Sequence, residues 1–297
     1  MSVKINKNSF RINPMLLKEL KVKMRRWRAV ILIGSYNLVL ALLTIFIMKL
    51  TLNDTIGVID QQNIFATYAF LVSAQFGLIT LIAPALTAGA ISGERERQTL
   101  DILLSTTLKH GSIITGKLFS SLSQIILLII SSIPVFSIIF LYGGIGISAL
   151  FQVFLFYIII AITLGSIGIF FSTFIKKSTA ANVLTYAVVV FLYLITIFIA
   201  IFYVQLVIMP NNTYQSYNET FWVTYFNPAL ALISLLSDQF GQGIGRLFPG
   251  INMSKQGGFQ FWQINAMINI CLSAILLWLS AVKLNPAKKK WFKKNKV

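Results

Sequence analysis

Six apolar stretches, each long enough to cross a bilayer, constrain this chain more than any other feature. A helix needs about 20 apolar residues to cross about 30 Å of hydrocarbon. The stretches cover residues 29–48, 64–91, 118–142, 148–175, 181–209 and 262–282. They account for most of the 297 residues, of which 57% are hydrophobic and only 11% are charged. The sequence therefore predicts an all-α integral membrane protein with six transmembrane helices.

The positions of the basic residues predict the orientation of these spans. An even number of spans places both termini on one side, together with the 92–117 loop. That side would carry 22 of the 25 Lys and Arg residues. Because basic residues concentrate in cytoplasmic loops, we expect a multi-pass protein of the plasma (inner) membrane with both termini in the cytoplasm. The frequent use of Ile, Lys and Asn favours a bacterial source.

The formal net charge of +17 would suggest a nucleic-acid partner in a soluble protein. In a membrane protein an excess of Lys and Arg is explained by their concentration in the cytoplasmic loops and termini. The basic tail at 283–297 also contains Trp291 and Phe292, a composition typical of a lipid-binding segment. We therefore expect membrane lipids as partners and no nucleic acid. The single cysteine, Cys271, predicts neither a disulfide nor a metal cluster.

The predicted spans contain no charged residue, because all eight Asp and Glu residues fall outside them. Ion-coupled carriers usually hold the coupling ion on an intramembrane ionisable group, so a self-powered transporter is disfavoured. The polar residues inside the spans are uncharged. Either they line a substrate path, or they form hydrogen bonds between helices that are worth about 0.6 kcal/mol each. The candidates to line a path are Asn37, Gln75, Gln124, Asn265 and Asn269.

Two prolines and two glycines predict departures from regular helix packing. Pro84 and Pro134 are expected to kink the second and third spans. Gly165 and Gly168 would permit close approach of other helices to the fourth span. These residues shape the bundle without identifying a substrate.

The N-terminal segment, residues 1–28, predicts an amphipathic interfacial helix. Asn13 is suited to the N-cap of this helix and Pro14 to its first position. Apolar residues then recur at helical spacing as far as Trp27, with five basic side chains between them. We expect such a helix to lie along the inner leaflet with its cations at the lipid headgroups.

The 92–117 loop is the most specific feature of the sequence. It opens with a mixed-charge cluster of Glu94, Arg95, Glu96, Arg97 and Asp101. A short amphipathic helix follows, with an apolar face formed by Leu100, Leu103, Leu104 and Leu108. This face is too short to span a membrane and too apolar to lie free in water. Two interpretations remain open: the face occupies a groove in a partner protein, or it packs on the membrane or on the chain's own spans.

The 210–260 segment is the largest piece on the predicted outer side. It is rich in aromatic residues, including Trp222, Tyr225, Phe226 and Phe240, and is too apolar for a free loop. One interpretation is a re-entrant lid over an exit, since irregular backbone near a membrane must be buried in protein or line a cavity. The other is an aromatic belt that anchors a passive loop.

Three segments together resemble the ABC-2-type transporter permease family. The first is Asn13-Pro14 with Lys18-Glu19 downstream. The second follows the second span and reads Gly93-Glu94-Arg95-Glu96-Arg97-Gln98-Thr99-Leu100-Asp101, and the third is Phe226-Asn227-Pro228 after the fifth span. The resemblance covers nearly the whole chain, and this second segment is its specific motif.

The resemblance implies a single permease domain over residues 1–297, with six spans in each half of a transporter. The other half would be a second copy of the chain or a related permease. Two separate cytosolic ATP-binding cassette subunits would bind ATP and Mg, so this chain would hold no cofactor or metal and have no catalytic site. Export is the usual direction in this family.

The resemblance also assigns roles to residues. The 92–117 loop would couple to the ATPase, with Glu94, Arg95, Glu96, Arg97, Thr99 and Asp101 towards it and Leu100, Leu103 and Leu104 beneath the spans. The interfacial helix, with Asn13, Pro14, Glu19 and Trp27, would brace this contact. Phe226, Asn227 and Pro228 would form an external gate.

Uncharged spans suit an amphiphilic or apolar cargo such as a peptide, a lipid-like molecule or a drug. The alternative function is a non-transporting membrane subunit that anchors or regulates an ATPase complex, because that role also needs the coupling loop. An integral membrane enzyme is disfavoured, since no His, Cys or acidic cluster lies near the membrane interface.

Overall fold

A computed structural model of the protein describes residues 27–53, 61–105, 110–141, 145–203, 205–206, 222–240 and 258–284. These residues form ten α-helices and one 3₁₀-helix. In chain order they are α1 (Trp27–Asn53), α2 (Gln61–Thr87), α3 (Ser92–Glu96), α4 (Leu100–Leu104), α5 (His110–Ser131), α6 (Ile133–Leu141), α7 (Ile147–Phe174), α8 (Ser178–Tyr203), the 3₁₀-helix (Trp222–Phe226), α9 (Pro228–Phe240) and α10 (Phe261–Leu284).

Six helical segments are long and apolar enough to cross a membrane, which confirms the predicted number of spans. Spans 1, 2, 4, 5 and 6 are α1, α2, α7, α8 and α10, and span 3 consists of α5 followed by α6. The predicted interfacial helix, with Asn13, Pro14 and Glu19, lies outside the described residues. Trp27 is the first residue of α1, and its side chain is exposed.

One predicted boundary is wrong. Span 3 begins at His110 and not at residue 118, so the 92–117 loop is shorter than predicted. Lys117 therefore lies inside α5, so the expectation that no span carries a charge fails here, as it does at Lys49 and Lys283, which are exposed near the ends of α1 and α10. The Lys117 side chain is buried, and it is ion-paired with Glu94. A helix accommodates a buried ammonium group when a carboxylate compensates its charge.

Helix α7 lies at the centre of the bundle. It packs against α2, α5, α8 and α10. In its most apolar part 67% of the residues are buried, against 17% in α1. Helix α1 and helix α8 are peripheral and present large apolar side chains outward, such as Phe46 and Phe198. Because such faces are stable in hydrocarbon, the fold is that of a multi-pass membrane protein.

Two glycines of α7 let α2 and α5 approach it closely, as predicted. A Cβ atom on Gly168 would lie 2.1 Å from Thr87 Oγ1 and 3.0 Å from the backbone nitrogen of Ala88. A Cβ atom on Gly165 would lie 2.9 Å from Leu118 Cδ1. The absence of a side chain at both positions is thus what allows the end of α2 to contact the centre of the bundle.

Span 3 is interrupted between α5 and α6, at Ser132. Pro134 follows the interruption and lacks the backbone N–H that a continuous helix requires. The Gln75 Nε2 group of α2 donates to Ser132 Oγ at 2.9 Å. The predicted departure from regular helix at Pro134 is therefore confirmed. At Pro84 the α2 helix continues as far as Thr87.

Candidate functional site

Residues 88–105 connect spans 2 and 3 at one end of the bundle, and we call them the loop segment. The segment contains two short helices, α3 and α4. Between them Gln98 has a φ of 59°, in the left-handed region that non-glycine residues rarely adopt. This residue redirects the chain between the charged cluster, which forms α3, and the turn that bears the leucines, which forms α4.

The apolar turn, α4, faces the bundle. Leu100 is buried, and Leu103 and Leu104 are partly buried against the hydrophobic core. These three leucines therefore pack on the chain's own spans, as in the second interpretation of this face. On the opposite side of α4, Ile102 has 69% of its surface exposed.

Glu94 joins the loop segment to span 3. Its Oε1 atom lies 2.9 Å from Lys117 Nζ, and Oε2 accepts a hydrogen bond from Thr99 Oγ1. Partial burial raises the pKa of Glu94, but the hydrogen bonds from Lys117 and Thr99 outweigh that effect. The pKa of Glu94 therefore lies below its ordinary value of 4.5, and the carboxylate is ionised at neutral pH.

Arg95 caps the last turn of α7. Its Nη1 group donates to the carbonyl oxygen of Ile175 and its Nη2 group to that of Thr173, each at 3.1 Å. The last carbonyl groups of a helix have no partner within it and carry partial negative charge. The two nitrogens of a planar guanidinium can satisfy two such oxygens at once.

Glu96 caps the first turn of the next helix, α8. Its Oε1 atom accepts a hydrogen bond from the Ser178 backbone N–H at 2.8 Å, and its Oε2 atom accepts one from Ser178 Oγ at 2.6 Å. These two bonds lower the pKa of Glu96 below its ordinary value. A carboxylate at a helix N-terminus also meets the positive end of the helix dipole.

Ser172 of α7 makes the third link between the loop segment and the α7–α8 turn. Its Oγ atom accepts hydrogen bonds from the backbone N–H groups of Ile91 and Ser92, at 2.8 and 2.9 Å. Sequence reasoning missed Ser172 and Ser178, because a single serine in or beside an apolar helix carries no distinguishing pattern. Only the fold brings them to the loop segment.

The charged residues among the predicted coupling residues therefore divide into two groups. Glu94, Arg95 and Glu96 use their charged groups within the chain, whereas Arg97 and Asp101 are exposed. Gln98 and Ile102, which are not among the predicted coupling residues, are exposed beside them, and we call these four residues the loop tip. The sequence pattern assigned no role to Ile102, because this residue lies off the leucine face. The loop tip combines both signs of charge with an exposed apolar side chain.

The predicted path-lining residues lie between helices. Asn37 Nδ2 donates to Ser131 Oγ at 2.9 Å, and Asn265 Nδ2 donates to the carbonyl oxygen of Tyr225 at 2.6 Å. Asn269 Nδ2 donates to Asn265 Oδ1 at 2.8 Å, and Gln75 is bonded to Ser132 as described. Gln124 lines a small cleft of about 60 Å³ between α1 and α5. Side-chain hydrogen bonds to another helix are thus present at three of the five, Asn269 is bonded within α10, and path lining stays a prediction.

Asn227 anchors the segment between spans 5 and 6 to the interior of α8. Its side chain is fully buried, and its Nδ2 group donates to Thr196 Oγ1 at 2.6 Å and to the carbonyl oxygen of Tyr193 at 3.0 Å. Its Oδ1 atom accepts a hydrogen bond from the Ala229 backbone N–H at 2.8 Å. Asn227 is thus the N-cap of α9, and Pro228 is the first residue of that helix.

Helix α9 is attached to other helices at both ends. At its first end Asn227 is bonded to Tyr193 and Thr196 of α8. At the other end Gln239 accepts a hydrogen bond from Tyr68 OH at 3.3 Å, and Phe240 packs against the Tyr68 ring with centroids 5.6 Å apart. Since α9 has 13 residues, it is too short to cross a bilayer.

These features define a helical, multi-pass membrane protein. The sequence model of the family described as "ABC-2 family transporter protein" matches residues 15–283. The chain therefore belongs to the ABC-2 family of transporter proteins, as the resemblance of its motifs predicted. A search of curated proteins finds no match. Among the described residues, no group of three or more His, Cys, Asp or Glu side chains is arranged to hold a metal ion.

Proposed function

We propose that this chain is the permease subunit of an ATP-binding cassette exporter. ABC-2 permeases are membrane transport components that generally work with a cytosolic ATP-binding subunit. In this proposal the end of the bundle that bears the loop segment lies in the cytoplasm, with both termini, because the basic residues concentrate there. ATP and Mg are bound by the partner subunit.

The observation that carries the proposal is the exposed loop tip. Ile102 is 69% exposed although it lies on a helix whose leucines are turned to the core. Arg97 and Asp101 flank it with opposite charges. An apolar contact supplies burial in a protein interface, and charge pairs around it fix the orientation of the partner. Glu94, Arg95 and Glu96, whose charged groups bond within the chain, hold this surface on the bundle.

The remaining parts of the chain fit a translocation path in this proposal. A second copy of the chain, or a related permease, provides the other half. The 3₁₀-helix and α9 form a re-entrant lid on the outer side, with Phe226, Asn227 and Pro228 at the external gate. Among the described residues, the buried polar groups of the spans are neutral except Lys117, which Glu94 pairs. A path of this kind suits outward movement of an amphiphilic or apolar cargo.

The alternative, a non-transporting subunit that anchors an ATPase, needs the loop tip but does not need α9. Asn227 and Gln239 attach α9 to spans 2, 4 and 5 by hydrogen bonds. Such attachments serve a gated path, whereas a tether would function with a short connecting loop. We therefore prefer the permease, and a plasma-membrane location in a bacterium.

The test is co-purification of a candidate cytosolic ATP-binding subunit with tagged protein in nanodiscs. Ile102→Asp places a charge in the centre of the loop tip and is expected to abolish ATPase binding. Ile147→Asp is the matched control, because Ile147 is 79% exposed and begins α7 at the opposite end of the bundle. Equal ATPase recovery with both variants would contradict the proposed contact.

A further inference from the structure

We propose that the loop segment and the α7–α8 turn move as one rigid body during the transport cycle, and that Arg95 and Glu96 are the positioning residues that join them. This inference rests on the proposed function. The loop segment connects spans 2 and 3. If it moves together with the α7–α8 turn, movement of the ATPase-bound loop is also transmitted directly to spans 4 and 5.

The charges of Arg95 and Glu96 match the helix ends that they contact. The guanidinium of Arg95 meets the C-terminal carbonyl groups of α7, at the negative end of that helix dipole. The carboxylate of Glu96 meets the N-terminal N–H group of α8, at the positive end of the next. Two adjacent residues of α3 thus hold both sides of the turn at 175–177.

The contact leaves no space for sliding. Ser172 Oγ accepts two backbone N–H groups of the loop segment, at 2.8 and 2.9 Å. One turn earlier in α7, the space that a Cβ atom of Gly168 would need is filled by Thr87. A relative shift of α7 and the loop segment would break these hydrogen bonds and create overlap, and buried N–H groups left without acceptors are costly. The two parts must therefore move together.

A disulfide tests this directly. A Cβ atom on Gly89 would lie 4.0 Å from the Cβ atom of Ser178, a separation that suits a disulfide. Gly89 precedes α3, and Ser178 begins α8. The variant is Gly89→Cys/Ser178→Cys in a Cys271→Ser background, which removes the native thiol. The complex with its ATPase is purified in nanodiscs, and ATP turnover is measured after oxidation and after reduction.

If the two parts move together, oxidation changes turnover by less than about twofold, because the disulfide joins atoms that never separate. A fall of about fivefold or more that a reductant reverses would overturn the inference and leave the proposed function intact. Absence of the ATPase from the wild-type preparation would overturn both. The Ser178→Cys single variant shows what loss of the Ser178 hydroxyl contributes.

A second variant separates positioning from stability. Arg95→Ala keeps the loop tip, so the ATPase is expected to co-purify in the wild-type amount while permease-dependent turnover falls about fivefold. Oxidising the cysteine pair in the Arg95→Ala background is then expected to restore turnover, since the disulfide replaces the lost hydrogen bonds of Arg95 as the link between the loop segment and the α7–α8 turn. Turnover that stays low after oxidation would contradict a positioning role, as would equal loss of binding and turnover.

Discussion

Lys117 Nζ lies 2.9 Å from Glu94 Oε1, so the charge inside span 3 is compensated by a residue of the loop segment. The Lys117 side chain is 8% exposed and that of Glu94 32% exposed. Burial of the ammonium group makes its contact with a carboxylate important for the stability of this part of the fold. The pair therefore links the folding of span 3 to the position of the loop segment.

Glu94→Gln is expected to lower the free energy of unfolding by about 2 kcal/mol, because it removes the carboxylate that lies 2.9 Å from the largely buried ammonium group of Lys117. Lys117→Met in the same chain should recover most of this loss, since it removes the buried charge. Thermal unfolding of the detergent-solubilised protein measures both changes. A double variant less stable than Glu94→Gln would show that the two residues do not act as a pair.

The stabilising effect of the pair should depend on pH. The pKa of Glu94 in the folded chain lies below its ordinary value of 4.5, so the carboxylate stabilises the fold above that value. This contribution is lost as the pH falls through the folded-state pKa. The difference in melting temperature between wild type and Glu94→Gln should thus be large at about pH 7 and shrink towards about pH 3. A constant difference over this range would contradict the assignment.

Gly168→Ala is expected to destabilise the bundle by about 2 kcal/mol, because the new methyl group overlaps Thr87 Oγ1 and α2 must move away from α7. Gly77→Ala is the matched control. Gly77 lies in α2, and a Cβ atom added there would have no neighbour within 4 Å, so alanine should leave stability unchanged or raise it slightly. Melting temperatures of the two variants, measured side by side, test the close approach.

The hydrogen bond between Gln75 and Ser132 spans 2.9 Å and joins α2 to the interruption in span 3. A double-mutant cycle of Gln75→Ala and Ser132→Ala is expected to give a coupling energy of about 1 kcal/mol, in the range for polar contacts between membrane helices. Unfolding measurements on the four proteins supply this value. Strict additivity of the two substitutions would mean that the contact does not contribute to stability.

The number of spans and the leucine face could be predicted from the sequence, because both depend on local apolar patterns. Apolar runs fix where helices cross the membrane, and helical spacing places Leu100, Leu103 and Leu104 on one side. The start of span 3 could not be predicted, because the charge of Lys117 interrupts the apolar run, although the helix itself begins earlier, at His110. Its partner, Glu94, lies in a different helix and becomes a neighbour only in the fold.

The directions of the loop charges could not be predicted either. A run of alternating acids and bases is typical of a solvated or partner-facing surface, and the family resemblance directed Arg95 and Glu96 towards the ATPase. In the structure both contact the turn between α7 and α8. Arg95 and Glu96 take these directions because the backbone groups at the ends of α7 and α8 have no partner within their own helices. These ends lie far from the loop in sequence, so the pattern of the loop does not reveal them.

Asn227→Ala should destabilise the chain by about 3 kcal/mol, because it removes the N-cap of α9 and the two hydrogen bonds that the buried amide donates to Tyr193 and Thr196 of α8. Asn227→Ser restores an acceptor for the N-cap but has no amide to reach α8. The expected order of melting temperatures is therefore wild type, then Ser, then Ala. If the serine variant matched wild type, capping alone would explain the role of Asn227, and the attachment of α9 to span 5 would contribute nothing.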